Sequence, residues 1–202
     1  MKRIGFTAVI VCVLLVAFAQ GWAGESTKGW VRLNDCRYVD GKDNDGDSFR
    51  VSCAREGEFM IRLYFVDAPE TSLADPELAR EQSAYFGVSL DEVVKAGRKA
   101  QETVKKLLKN PFVVSTHRAS AAGGSARLHY YAMVKVEGKN LAELLVGQGW
   151  ARTKGVITNL PAGENWKVFN ERLKALESKA RQDRLGVWAG SAEKTPEVRK
   201  KS

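Results

Sequence analysis

The chain reads as an α+β domain, mainly β, in which five strands wrap into a barrel and about three helices pack around it. Three observations predict this. Short runs rich in β-branched and aromatic residues are bounded by Gly, Asn and Asp; one long amphipathic helix separates the third run from the fourth; two more helices follow only after the fifth. With 202 residues there is enough chain for one domain with a sizeable core.

The N-terminus is expected to be a leader rather than part of that domain. Met1-Lys2-Arg3 forms a positive start, Ile4 to Ala19 an apolar run, and Ala17-Phe18-Ala19 or Gly21-Trp22-Ala23 a small-x-small cleavage site. The run falls short of the ~20 residues that span a bilayer, which disfavours a retained anchor. The expected organisation is a signal peptide over 1–23, a domain over 24–190 and a basic, aperiodic, disordered tail over 191–202. A secreted or periplasmic location follows. Losing Lys2 and Arg3 takes 32 basic residues to 30 against 24 acidic, so the net charge falls from +8 to +6 and still favours polyanionic partners.

Trp30 to Val39 and Ser48 to Cys53 read as the first strand pair, turning at Asp43-Asn44-Asp45-Gly46. With Cys12 in the leader, Cys36 and Cys53 remain, equidistant from the centre of that turn. An antiparallel hairpin would bring them face to face, and an oxidising compartment would pair them, with two buried free thiols as the alternative. Phe59 to Val66 is the third strand, with Phe59, Ile61, Leu63 and Phe65 on the core face and Arg62 opposite. Asp67 lies five residues beyond Arg62, so the two share a face only if the chain leaves the strand between them; Pro69 supplies a reason.

Thr71 to Gly87 is polar, read as loop with some helix from Pro76 to Tyr85 and without a legible role. Ser89-Leu90-Asp91-Glu92 is a capping box with Val88 and Val93 as a hydrophobic staple. The helix it starts carries Leu90, Val93, Val94, Ala100, Val104, Leu107 and Leu108 as a core stripe and stops at Asn110-Pro111. Phe112 to His117 and Arg127 to Glu137 are the last two strands, joined by a Gly/Ala/Ser loop. A short helix, Leu141 to Val146, and a longer one, Asn165 to Gln182 with Trp166, Phe169, Leu173, Leu176 and Ala180 on one face, complete the chain. This element order is that of a five-stranded OB-type barrel.

Chemistry concentrates between Asp45 and Glu70. Asp45, Asp47, Asp67 and Glu70 with Arg62 give four carboxylates and a guanidinium beside strand ends. A hard divalent cation takes carboxylate oxygens, a general base is a further carboxylate, and Arg binds phosphate bidentately, so the set suits metal-assisted phosphodiester hydrolysis. Asp47 and Asp67 are the expected ligands, Glu70 the base and Arg62 the phosphate contact. An EF-hand reading of Asp40 to Asp47 fails, because its ligand positions would fall on Gly41 and Ser52.

The stretch from Asp45 through Glu70 resembles the staphylococcal nuclease (thermonuclease) family, in which an Asp-Gly-Asp hairpin is followed by Arg and then Asp-x-Pro-Glu. Likeness continues through Glu137-Gly138-Lys139, Leu145-Val146-Gly147-Gln148-Gly149 and Leu185-Gly186-Val187-Trp188. The resemblance implies that Asp47, Asp67 and the backbone carbonyl of Ala68 bind Ca²⁺, with Glu70 as base and Arg62 on the phosphate. It also implies a second catalytic Arg at the start of the fifth strand. His129 stands at that position and Arg127 two residues earlier on the same face, so Arg127 is expected to reach the phosphate while His129 lines the wall. An uninvolved edge histidine is the alternative, and Arg118 is the next candidate arginine. Asp45, His129 and Tyr130 are expected as supporting or substrate-facing residues. Where the family packs tyrosines against the nucleotide, Gly155 and Ile157 stand; Tyr130 and Tyr131 are the aromatic residues able to compensate.

The implied activity is a secreted, Ca²⁺-dependent nuclease, monomeric by default, acting on single-stranded or unwound DNA and RNA with little sequence preference. The alternative is a non-catalytic OB module that binds nucleic acid or protein. Three acids facing a polyanion serve a binder poorly. A generic envelope protein would account for leader and charge but not for the acids.

Overall fold

The structure, a computed structural model, describes residues 29–120 and 129–191, with only the backbone of 118–120. The leader, the tail beyond Ser191, Arg127 and most of the Gly/Ala/Ser loop lie outside the described residues, as does the side chain of Arg118.

The elements in chain order are β1 (Val31–Val39), β2 (Ser48–Cys53), β3 (Gly57–Leu63), β4 (Val66–Asp67), α1 (Pro76–Phe86), α2 (Leu90–Leu107), β5 (Phe112–Ser120), β6 (His129–Val136), β7 (Lys139–Asn140), α3 (Leu141–Gly147), β8 (Arg152–Thr153) and α4 (Trp166–Gln182), followed by a 3-10 turn at Gly186–Gly190. The main sheet runs β3-β2-β1-β5-β6-β7, and β6 returns to pair in parallel with β3. That pairing closes five strands into a ring, with β7 a two-residue extension. β4 and β8 form a separate antiparallel pair.

Closure requires β1 to serve two neighbours. Val31–Leu33 pair with β5 and Arg37–Val39 with β2, and the register shifts between Leu33 and Cys36, where Asp35 has φ 55. A bulge of this kind bends a strand around a barrel corner. Along β2 the alternation is plain: Phe49, Val51 and Cys53 are buried and Ser48, Arg50 and Ser52 half-buried. Val114, Ala132 and Val134 from β5 and β6 join this interior, and α2 covers it with Ala100, Val104 and Leu108 while α4 adds Phe169 and Leu173. Burying such side chains contributes on the order of 1.5–3 kcal/mol each.

The capping box forms as expected, with the Ser89 side chain accepting from the Glu92 N–H and the Glu92 carboxylate from the Ser89 N–H. Val88 and Val93 share a second small core with Phe86, Ala96, Ala180, Val187 and Trp188. The polar stretch before it is more ordered than its sequence suggested. Asp75 caps α1 with Pro76 in its first turn, and Gly87 closes it in a left-handed conformation with φ 70. Among the described residues no helix is long and apolar enough to cross a membrane.

The third strand is shorter than expected. It ends at Leu63, because Phe65 adopts φ 72, and Val66 and Asp67 then pair with β8. The chain therefore leaves the strand before Asp67, but at Phe65 rather than through Pro69. Phe65 is held in this costly conformation by burial, edge-on to Phe169 at 4.9 Å, and by its N–H bonding the Val156 carbonyl at 3.0 Å.

Cys36 and Cys53 are disulfide-bonded, with Cα atoms 4.3 Å apart. The bond ties β1 to β2 at the end remote from the Asp45 turn. Closing so short a loop constrains the unfolded chain by ~3 kcal/mol at most. A Cys36→Ser, Cys53→Ser double variant should lose up to that amount in urea unfolding, seen as a lower midpoint with the folded-state circular dichroism unchanged.

Candidate active site

The Asp45 turn is built by its own side chain. The Asp45 carboxylate accepts from the N–H groups of Asp47, at 2.9 Å, and Ser48, so it shapes the loop that presents Asp47. Asn44 braces the same loop, donating to Tyr38 Oη at 2.8 Å and the Val39 carbonyl at 2.9 Å. From there Asp47 points across the barrel edge, and its Oδ2 accepts from the Ala68 N–H at 3.0 Å. A single hydrogen bond thus joins two segments 21 residues apart.

Arg62 lies between the acids. Its Nη2 stands 3.3 Å from Asp47 Oδ2 and 3.2 Å from Asp67 Oδ1, and its Nη1 donates to Ser48 Oγ at 3.2 Å. Carboxylates from different elements therefore converge on one nitrogen. The two acids are buried, at 3% and 5% exposure, while the Arg62 side chain keeps 36%. Burial pushes the Asp47 carboxyl well above its usual range, and the neighbouring Asp45 charge adds to this. Asp45 is raised for the same first reason. Burial opposes the charge on Arg62, but Asp47, Asp45 and Asp67 outweigh it and hold the guanidinium more firmly protonated than usual.

Asp67 has a second cation behind it. Arg152, buried at the start of β8, donates to Asp67 Oδ2 from Nε at 2.8 Å and forks onto Glu81 of α1 at 2.9 and 2.6 Å. The guanidinium also lies 4.9 Å from the Tyr85 ring centroid. Gln82 completes the wall: its Nε2 donates to Asp67 Oδ2 at 3.1 Å and to the Ala68 carbonyl at 2.9 Å, and its Oε1 accepts from the Glu70 N–H at 2.8 Å. Behind the segment, α2 presses so close that a Cβ at Gly97 would collide with the Glu70 carbonyl. That approach accounts for a mid-helix glycine, which costs about 1 kcal/mol relative to alanine.

Glu70 differs from the other acids. Its carboxylate makes no hydrogen bond or ion pair among the described residues, and burial, then the Asp47 and Asp67 charges, raise its pKa. Such a group accepts a proton more readily than an exposed glutamate.

Asp45, Asp47, Arg62, Asp67, Ala68 and Glu70 are thus brought together. His129 and Tyr130 stand further off. In the parallel β3/β6 register Tyr131 is opposite Arg62, Tyr130 opposite Ile61 one position along on the inner face, and His129 opposite Met60 two positions along. Tyr130 packs edge-on to Phe59 at 5.7 Å, so the aromatic residue beside the site is Tyr131. Gly155 has φ 130, a conformation that side-chain-bearing residues rarely adopt, and a Cβ there would stand 3.2 Å from the Val66 carbonyl, so this backbone favours glycine over the aromatic residue that the resemblance implies; Ile157 is exposed.

Sequence reading missed Ser48, Glu81, Gln82 and Arg152. One signal was available: Ala79, Gln82 and Phe86 form the buried stripe of α1, and a glutamine in an apolar stripe asks for partners.

Among the described residues no group of three or more His, Cys, Asp or Glu side chains forms a ready metal cage. The donors that converge are hard oxygens: two carboxylates on one cationic nitrogen, with the Ala68 carbonyl bonded at 2.9 Å by Gln82 and keeping a free lone pair. This set fits an oxygen-seeking divalent ion whose remaining ligands are water.

Fold and site together define an OB-type β-barrel protein with an arginine-countered cluster of carboxylates on its edge. The profile described as staphylococcal nuclease homologue matches residues 60–190, most of the chain, and the protein belongs to that family. The match takes in Arg62, Asp67, Ala68 and Glu70 but begins after Asp45 and Asp47, which the fold brings to them. A comparison with curated proteins found no match.

Arg152 and Lys154 hold the Glu81 carboxyl down at about 2, against an ordinary 4.5. Its folded pKa lies below the unfolded one, so the contribution is fully present above about 4.5 and is lost as pH falls toward about 2. Glu81→Gln should therefore be less stable than the parent in urea at pH 7, with the gap narrowing across that window.

Proposed function

We propose that the protein is a secreted, calcium-dependent nuclease that hydrolyses phosphodiester bonds in single-stranded or unwound DNA and RNA, acting as a monomer after removal of its leader. The observation that carries this reading is the convergence of Asp47 and Asp67 on one Arg62 nitrogen, with Glu70, whose carboxylate is unpaired among the described residues, beside them. Family membership and the basic net charge support it, and the leader sequence supports export.

Asp47, Asp67 and the Ala68 carbonyl would hold Ca²⁺. When bound, the ion supplies positive charge that polarises a phosphoryl oxygen. Arg62, still 36% exposed, turns its guanidinium to a phosphate and neutralises charge as phosphorus becomes five-coordinate. Glu70 takes the proton of the attacking water; the new bond to phosphorus forms as the bond to the leaving oxygen breaks. The Arg152–Glu81 pair holds Asp67 from behind without facing the substrate. Arg127 is the expected second phosphate contact, with His129 on the same wall.

Incubating the mature protein with single-stranded DNA in Ca²⁺ or chelator tests this. Cleavage should require Ca²⁺, and Glu70→Gln should slow it by ~10² to 10⁴ while binding persists. Salt-dependent binding without cleavage would make the protein a binding module instead.

A further inference from the structure

We infer that Gln82 is a positioning residue that fixes the proposed cation ligands and the proposed base relative to one another. The segment Asp67-Ala68-Pro69-Glu70 needs such a residue. β4 ends at Asp67, so no ladder holds the three residues that follow, and Pro69 has no N–H to anchor. Gln82 bonds on either side of that proline. Its Nε2 donates to the Ala68 carbonyl at 2.9 Å and its Oε1 accepts from the Glu70 N–H at 2.8 Å, the two bonds that a residue of a neighbouring parallel strand would make with its own N–H and C=O. The second Nε2 hydrogen reaches Asp67 Oδ2 at 3.1 Å.

Only a primary amide meets all three demands. A glutamate offers no donor in its charged form, and an apolar side chain of equal length offers neither group. The partners also fix the amide's orientation, since turning it over would set a donor against the Glu70 N–H and an acceptor against two oxygens. Gln82 is completely buried, so water does not replace these bonds. It is carried by α1, which Asp75 caps and Ala79 and Phe86 anchor in the core. The proposed ligands Asp67 and Ala68 and the proposed base Glu70 are thereby referred to one helix.

The kinetic part of this inference rests on the nuclease reading; the structural part does not. Gln82→Met keeps length and removes every polar group. Three measurements compare it with the parent well below the melting temperature: amide hydrogen exchange at Glu70, calorimetric Ca²⁺ titration without nucleic acid, and kcat and KM on single-stranded DNA. Exchange at Glu70 should rise at least tenfold while β2 and α2 amides stay protected. Ca²⁺ binding should weaken about tenfold, and kcat should fall with KM little changed. Should Gln82→Met fail to fold, Gln82→Asn, one methylene too short to bridge Pro69, is put through the same measurements. Parent-like Glu70 exchange and Ca²⁺ affinity would overturn the inference, even with a lowered melting temperature, since that would mark a merely structural residue. If the parent itself neither binds Ca²⁺ nor cleaves, the nuclease reading fails, and Glu70 exchange alone still decides the role of Gln82.

Discussion

Two buried carboxylates share one small volume here because a guanidinium stands between them. Asp47 Oδ2 and Asp67 Oδ1 lie 3.3 and 3.2 Å from the same Arg62 nitrogen, and the rest of the edge is arranged around that contact. Taking an unpaired carboxylate out of water costs several kcal/mol, a cost that Arg62 offsets for both acids and Arg152 offsets further for Asp67. Even with Arg62 present, burial keeps the Asp47 carboxyl well above its usual range. The contact offsets the repulsion between the two acids, and in the proposed nuclease a divalent ion would take its place and free Arg62 for phosphate.

Barrel closure determines which side chains meet there. The parallel β3/β6 pairing brings Tyr131 opposite Arg62, and the β2/β3 register places Ser48 opposite it on the other side. Asp67 reaches the same place from outside the ring, because Phe65 turns the chain out of β3 and β8 then captures Val66 and Asp67. Arg152 arrives on β8 and Gln82 on α1. Gln82 and Arg152 thus reach this segment from separate elements, with hydrogen bonds of 2.8–3.1 Å to Asp67 and its neighbours.

Much of this was legible in the sequence, for reasons that differ by residue. Asp47, Arg62, Asp67 and Glu70 stand close in the chain beside strand signals, so residue type and spacing suffice to group them. The cysteines could be paired by symmetry about one turn. The capping box announced α2. The end of β3 could not be read, because Tyr64-Phe65-Val66 has every propensity for strand and only packing against Phe169 makes φ 72 at Phe65 tolerable. Arg152 is 85 residues from Asp67, a distance over which no local pattern operates. Gln82 lay in a polar stretch read as loop with some helix from Pro76 to Tyr85; its meaning depends on a helix whose buried stripe is only three residues wide.

The cation site proposed at the point now held by Arg62 Nη2 depends on Asp47 and Asp67. Calorimetric titration of Ca²⁺ into the folded protein, without nucleic acid, tests it most directly, with Asp67→Asn alongside and the disulfide intact in both. The parent should bind Ca²⁺ at one site per chain, and the variant should lose that site. Equal Ca²⁺ binding by a folded Asp67→Asn, or no binding by the parent, would contradict it.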